Sequence, residues 1–286
     1  MKIVFFGNTK YSLIGAKIIH EQLGLSHIIT IPDRPDKRGR MQESPLKTFG
    51  KENAIPVLEV NKITDETIEQ INQLQPDFFV VEDYGLILPK KLLTIPKIAA
   101  LNIHHSLLPK YRGSSPAPTA LLNGDRITGV SVILMTETLD AGDILGQKEY
   151  EVTSEDTTDS LLTVLNQLGG ELIVPILTNF NEAQTKSIKQ NESKVTFTKM
   201  MKKEDGFIDA SNPPPAERLD RMIRAYYPWP TVWTTIRIKN HEARIKLLPK
   251  KIIQMEGKQP ITIKDFLNGY LELEEKTKKF LQSLDS

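Results

Sequence analysis

Cysteine is absent from the 286 residues. Its absence excludes disulfides, thiolate zinc sites and a cysteine nucleophile, and it fits a reducing cytoplasm, the expected location. No run approaches the ~18 consecutive apolar residues of a membrane span, so no membrane partner is expected. The opening MKIVFFG reads as the start of a strand and lacks a signal-peptide cleavage pattern. A G-x-G-x-x-G fingerprint is also missing. The first turn reads GNTKYS, with no second glycine to admit a pyrophosphate, which disfavours a dinucleotide-dependent oxidoreductase. With neither H-E-x-x-H nor a cysteine cluster, no metal is assigned. Net charge is almost absent too, at +1, but it divides unevenly. Residues 194–286 hold 18 Lys and Arg against 12 Asp and Glu, and the preceding residues hold 19 against 24. A basic second part hints at a polyanionic partner, although a solvated basic face would give the same imbalance.

Short apolar runs alternate with amphipathic stretches over the first two thirds of the chain, the pattern of an open α/β sheet. Strands are expected at 2–6, 27–31, 57–60, 78–81 and just before Asn102, with helices over 11–23, 65–74 and 115–123. Residues 128–136 and 144–152 form an expected edge hairpin. Leu161, Leu162, Leu165, Leu168 and Leu172 recur at helical spacing as core packing. The segment PDRPDKRGRMQESPLK after the second strand carries Arg34, Lys37, Arg38 and Arg40 and cannot pack apolar surface, so it reads as an exposed loop. Ser44 and Pro45 at its end suit a helix N-cap and first turn. The polar, aperiodic stretch from 179 onward supplies a linker. It divides the chain into a domain over 1–183, a linker over 184–198 and a second domain over 199–286. In that second domain short strands are expected at 232–238, 243–247 and 251–255, then helix over 265–284. Trp229 and Trp233 are expected in its core.

The chemistry concentrates in LNIHHSLLPKYRGSSPAP, residues 101–118, and LDAGD, residues 139–143. Asn102 and His104 are two apart, so in extended chain they project from one face, and His105 points the other way with no chemistry assigned. An amide donor beside an imidazole suits a carbonyl oxygen becoming an oxyanion. Asp140 before a glycine is also a plausible turn residue. Glu82 and Asp83 are adjacent at a strand end, and alternation argues against a shared site.

Asn-x-His-x-Ser-Leu-Leu-Pro-x-Tyr-Arg-Gly-x-x-Pro followed by Leu-Asp-x-Gly-Asp resembles the folate-dependent formyltransferase family, most of all its members that act on methionyl-tRNA. YGLILP, KEDGFID, IRAYYPWP and KQPITIKDFLNGY carry the likeness along nearly the whole chain. The resemblance implies a Rossmann-like, mostly parallel formyltransferase domain and a smaller β-barrel-like C-terminal domain of the oligonucleotide-binding type. Only three or so strands fit where such a barrel needs about five, so that domain is expected to be abbreviated and open. The resemblance further implies Asn102, His104 and Asp140 as the catalytic set, and Ser106, Leu107, Leu108 and Pro109 as the border of the folate. Arg38, with Lys37 and Arg40 beside it, would meet the tRNA acceptor stem.

The implied co-substrate is 10-formyltetrahydrofolate and the implied acceptor is initiator methionyl-tRNA, in translation initiation, with the enzyme a monomer. A carboxylate beside His104 is expected to raise the imidazole pKa. Many relatives carry small apolar residues where this chain has Glu82 and Asp83, next to the folate. Sugar-nucleotide N-formyltransferases and formyltetrahydrofolate hydrolases share the Asn, His and Asp, and a non-catalytic RNA-binding module is the alternative of another class. The basic loop favours tRNA over a sugar nucleotide, and the complete catalytic set speaks against a pure binder.

Overall fold

A computed structural model describes residues 1–35, 39, 41–238, 241–270 and 273–285. The chain begins with β1 (Ile3–Phe6), α1 (Ser12–Leu23), β2 (His27–Thr30), a two-residue pair β3 (Arg34–Pro35) and β4 (Met41–Gln42), and α2 (Pro45–Glu52). It continues through β5 (Val57–Glu59), α3 (Asp65–Gln73), β6 (Phe78–Val81), α4 (Lys90–Leu93) and β7 (Ala99–His104). Next come α5 (Pro116–Asn123), the hairpin β8 (Ile127–Leu134) and β9 (Ile144–Glu151), α6 (Thr158–Thr178) and α7 (Phe180–Thr185). The remainder holds α8 (Ala216–Ala225), β10 (Val232–Ile238), β11 (His241–Leu248), β12 (Ile252–Met255), β13 (Ile261–Thr262), α9 (Ile263–Gly269) and α10 (Glu275–Asp285).

Seven strands form one sheet in the order β5-β2-β1-β6-β7-β8-β9. The first five run parallel, and β8 and β9 add an antiparallel edge. All four residues of β1 and of β6 are buried, because central parallel strands are covered on both faces. One face packs Ile3, Phe5, Phe78 and Val80 with Ile103 and Ile173, and the other packs Val4, Phe6 and Phe79 with Ile68 and Ile71. The chain runs outward from β1 to β2 and β5 and then crosses back to β6 on the other side of β1, a strand-order reversal of the kind that opens a crevice at the carboxyl ends of the strands. The signature loop after β7 begins at that end.

By length and composition α6 is long and apolar enough to cross a membrane. Here its Leu165, Ile173, Ile176 and Leu177 are buried in the protein. Ser44 precedes α2 as expected, but its hydroxyl does not cap the helix: it lies 3.3 Å from the Thr30 hydroxyl. Thr64 does cap α3, accepting from the Thr67 N–H at 3.2 Å.

Two compact units emerge. The first holds Met1–Gly113, Ile127–Glu151 and Leu162–Phe197, and the second holds Ser114–Arg126, Val152–Leu161 and Thr198–Ser286. The second thus gathers α5 and the start of α6 around its own core, where Leu122 joins Leu219, Met222, Val232, Ile245 and Phe266. Its sheet has four antiparallel strands in the order β10-β11-β12-β13, the last of only two residues. In β10 Val232, Thr234 and Ile236 are buried while Thr235 and Arg237 are exposed, the period-2 pattern of a half-covered sheet.

That alternation corrects the expectation of a core position for Trp233, and the exposure of Trp229 corrects the same expectation there. Trp233 stands on the outer face of β10, with the Arg244 guanidinium 4.8 Å and Lys203 Nζ 5.9 Å from its ring centroid. Phe207 packs beside it at 4.9 Å. Trp229 is 57% exposed.

Candidate active site

Asn102 and His104 end the last parallel strand, where Val81 pairs with Asn102 and His104 pairs with Ser131 of the antiparallel edge. Because β7 stays extended to His104, the two side chains leave on the same face and meet the same partner. Asn102 Nδ2 lies 3.4 Å from Asp140 Oδ1, and His104 Nδ1 lies 3.6 Å from Asp140 Oδ2. The three residues expected from the sequence therefore converge. The His104 and Asp140 side chains are nearly closed to solvent, at 6% and 9% exposure.

Asp140 reaches this position through a tight loop between β8 and β9. Gly142 passes so near the Leu134 carbonyl that a Cβ there would lie 1.6 Å from the oxygen, hence the glycine two residues on. Asp140 itself has φ +52°, a conformation side chains disfavour. Its carboxylate accepts from the Gly113 N–H at 2.8 Å. His104 Nε2 lies 2.9 Å from the Tyr111 carbonyl, an atom that can only accept, so Nε2 carries the proton. Tyr111 also has positive φ, at +65°, and its N–H donates to Thr196 Oγ1 at 2.9 Å. Burial, the largest influence, holds His104 below its ordinary pKa, against the opposing pull of Asp140 and the Tyr111 carbonyl. The expected rise is thus reversed, because the ring loses more from leaving water than one carboxylate returns.

Ser106, Leu107, Leu108 and Pro109 follow directly, and their contacts are internal. Ser106 Oγ donates to the Lys110 carbonyl at 2.6 Å. Leu107 closes over Gly129, and Leu108 packs with Ile133 and Ile144. Ser131 Oγ donates to the Ser106 carbonyl and accepts from the Leu108 N–H, at 2.6 and 3.0 Å. Lys37, Arg38 and Arg40 lie outside the described residues.

His105 turns to the other face, as expected, but finds there a cluster that strand alternation excludes. Its Nε2 is 3.5 Å from Glu82 Oε1 and its Nδ1 is 3.5 Å from Asp83 Oδ1. The strand ends at Val81, and Asp83 turns back with φ +49°, so both carboxylates face one imidazole. Glu82 is fully buried, and neither of its oxygens has a hydrogen-bond partner among the described residues. Gly15 leaves it room: a Cβ there would be 2.1 Å from Glu82 Oε2. Burial pushes the Glu82 carboxyl up to about 8, with His105 pulling the other way. For His105 burial is the largest single influence and lowers the pKa. The Asp83 charge and the Glu82 contact together outweigh it and hold the ring above its ordinary value.

Sequence reasoning missed Gln190. Its Nε2 donates to the Asp140 and Gly142 carbonyls at 2.7 and 2.8 Å, and its Oε1 accepts from Arg112 Nε at 3.0 Å. Nothing local marks it, for it sits in the aperiodic stretch expected as a linker. A depression of about 520 Å³ lined by Met1, Asp77, Ile98 and Thr178 lies at the opposite ends of the strands and contains none of these residues.

A strand-order reversal with an amide, an imidazole and a carboxylate gathered beside it is an arrangement that suits an α/β enzyme of the acyl-transfer class. Residues 1–177 match the formyl transferase family and residues 200–253 match the formyl transferase C-terminal domain, so the chain belongs to the formyl transferase family. It is 36% identical to the methionyl-tRNA formyltransferase of Clostridium perfringens strain SM101, over 86% of this chain and 81% of that protein. It is 32% identical to the methionyl-tRNA formyltransferase of Clostridium novyi, over 94% and 97%. Among solved structures, the N-formyltransferase of Helicobacter canadensis with folinic acid and dTDP-3-aminofucose superposes with a TM-score of 0.61. That likeness covers 88% of this chain and 94% of the other at 16% identity, and it shows the shared fold.

Proposed function

We propose that this chain moves the formyl group of 10-formyltetrahydrofolate onto the α-amino group of methionine carried by initiator tRNA, preparing that tRNA for translation initiation. The observation that carries this reading is the identity of 36% and 32% to enzymes of that name over most of both lengths. The geometry suits the chemistry. The amine bonds to the formyl carbon, negative charge grows on the formyl oxygen, and the bond from that carbon to the folate nitrogen then breaks, the leaving nitrogen taking up a proton as the attacking amine gives one up. When bound, the folate supplies the formyl carbon.

Asn102 offers an amide N–H to the developing oxygen charge. His104, held neutral by burial, keeps its Nε2 proton on the Tyr111 carbonyl and turns an unprotonated Nδ1 toward Asp140. Asp140 is then the acceptor of the amine proton, and Nδ1, 3.6 Å away, can share it. Ser106, Leu107, Leu108 and Pro109 shape the wall beside which the folate lies.

On the acceptor side, Arg38 with Lys37 and Arg40 engages the tRNA, and the domain over 199–286 adds basic surface. The Trp233, Arg244, Lys203 and Phe207 cluster is of the kind that receives phosphates and bases. The enzyme works as a monomer in the cytoplasm, with no membrane. The experiment is formyl transfer from 10-formyltetrahydrofolate to charged initiator tRNA, with amino-sugar nucleotides as competing acceptors. Transfer to the sugar and none to tRNA would defeat the reading. In the same assay Arg38→Ala should raise the KM for tRNA and leave that for folate in place. It should also reduce the slope of log affinity against log salt by about one; unchanged tRNA binding would remove the loop from the interface.

A further inference from the structure

The segment expected as a linker carries a clamp on Asp140. Each hydrogen of the Gln190 amide meets a backbone carbonyl, those of Asp140 and Gly142, at 2.7 and 2.8 Å. The two carbonyls can only accept and Arg112 Nε can only donate, so the amide orientation is set by its partners. The loop it staples includes the positive-φ backbone of Asp140 and the close approach of Gly142 to Leu134.

Behind Gln190 stands Arg112, whose side chain is only 3% exposed. Its Nε donates to Gln190 Oε1 at 3.0 Å, and its two terminal nitrogens fork onto Glu192 at 3.3 and 2.7 Å. The Arg112 N–H is itself fixed, donating to the Thr196 carbonyl at 2.9 Å. Arg112 is also the middle residue of three. Before it, the Tyr111 carbonyl meets His104 Nε2 at 2.9 Å; after it, the Gly113 N–H meets Asp140 Oδ2 at 2.8 Å. One buried side chain therefore joins the backbone that grips His104 and Asp140 to the amide that holds the Asp140 loop from behind.

We propose that Gln190, held by Arg112, is a positioning residue for formyl transfer, setting the Asp140 carboxylate against Asn102 and His104 without touching the reacting atoms. This rests on the reading of Asp140 as the proton acceptor. A misplacement of about 1 Å in a reacting group can cost on the order of 100-fold in rate. Gln190→Met keeps the bulk and loses all three hydrogen bonds, and Gln190→Glu keeps an acceptor for Arg112 but loses both donors.

The experiment is steady-state formyl transfer with the full chain, measured for the wild type, the two Gln190 variants, Asp140→Asn and the double variants, beside thermal melts. Both single variants should lose about 10- to 100-fold in kcat, with each KM within about two-fold. In the Asp140→Asn background neither Gln190 change should cost anything further, because residues that act through one another are not additive. Gln190 losses that multiply in full with the Asp140→Asn loss would overturn the proposal, as would an unchanged kcat. If Gln190→Met fails to fold, the kcat of Gln190→Glu decides between the same two outcomes. A fully active Asp140→Asn enzyme overturns the reading of Asp140 and the clamp together, whereas an inactive one beside unaffected Gln190 variants overturns the clamp alone.

Discussion

His104 and His105 are adjacent in the chain and opposite in circumstance. Both imidazoles are buried, at 6% and 4% exposure, and both lie at ion-pair distance from a carboxylate: 3.6 Å to Asp140, and 3.5 Å to each of Glu82 and Asp83. Yet His104 is held below its ordinary pKa and His105 above it. Desolvation acts on both rings, and the nearby charges win only where two carboxylates flank one ring. The carboxylates differ as well. Asp140 accepts from the Gly113 N–H and the Asn102 amide, while Glu82 accepts no hydrogen bond among the described residues and burial raises it to about 8. An imidazole beside a carboxylate thus has no fixed chemistry, and the donors and charges around each pair set which group holds the proton.

The sharpest way to break this contrast is to remove each ring in turn. Asn102→Ala or His104→Ala should cut the transfer rate by about 100–1,000-fold, the usual cost of a lost oxyanion or proton-transfer group. His105→Ala should cost less than about ten-fold, and equal losses from the two histidines would end the distinction between the faces of β7. Next in size, Asp140→Asn should lower kcat by roughly 100-fold. Asp143→Asn should keep most activity, because Asp143 contributes its backbone carbonyl to the Leu134 N–H at 3.0 Å. An Asp143→Asn enzyme as inactive as Asp140→Asn would move the acid to the wrong side of Gly142.

The smallest effect is on stability and concerns the other cluster. Glu82 is an acid whose folded pKa, about 8, lies above its ordinary 4.5. The folded state therefore binds the extra proton between these values, so this contribution is complete below about pH 4.5 and is lost as pH rises toward 8. His105, also raised, acts in the same direction. Glu82→Gln should flatten most of the fall in Tm between pH 5 and pH 8 and leave kcat near the wild-type value. Melts of Glu82→Gln that fall as steeply as the wild type would show that the buried pair is not titrating there.

Much of this site is legible without any coordinates, because it depends on local rules. Alternation along an extended strand is enough to set Asn102 and His104 on one face and His105 on the other, and β7 is extended through Asn102 and His104. The Leu-Asp-Ala-Gly-Asp spacing marks a tight loop, and Gly142 meets the steric need such a loop creates. The same rule fails for Glu82 and Asp83, since alternation stops where the strand stops and Asp83 adopts φ +49°. Trp233 is misplaced by sequence alone because an aromatic residue in a short apolar strand looks like core until the covered face of the sheet is known.

The sequence by itself determined the alternating α/β order, the placing of an amide and an imidazole on one face of one strand, and the family likeness, which in turn implied Asp140 as their partner. The first two follow from short-range geometry and the last from motifs matched along the chain. Only the tertiary structure decided that Gln190 and Arg112 clamp Asp140, and that Glu82 and Asp83 enclose His105. It also decided the sign of the His104 shift and the grouping of α5 with the second unit. The reason is common to all of them. Burial and hydrogen-bond partners between residues far apart in the chain, 78 positions in the case of Arg112 and Gln190, leave no periodicity in the chain and exist only once it has folded.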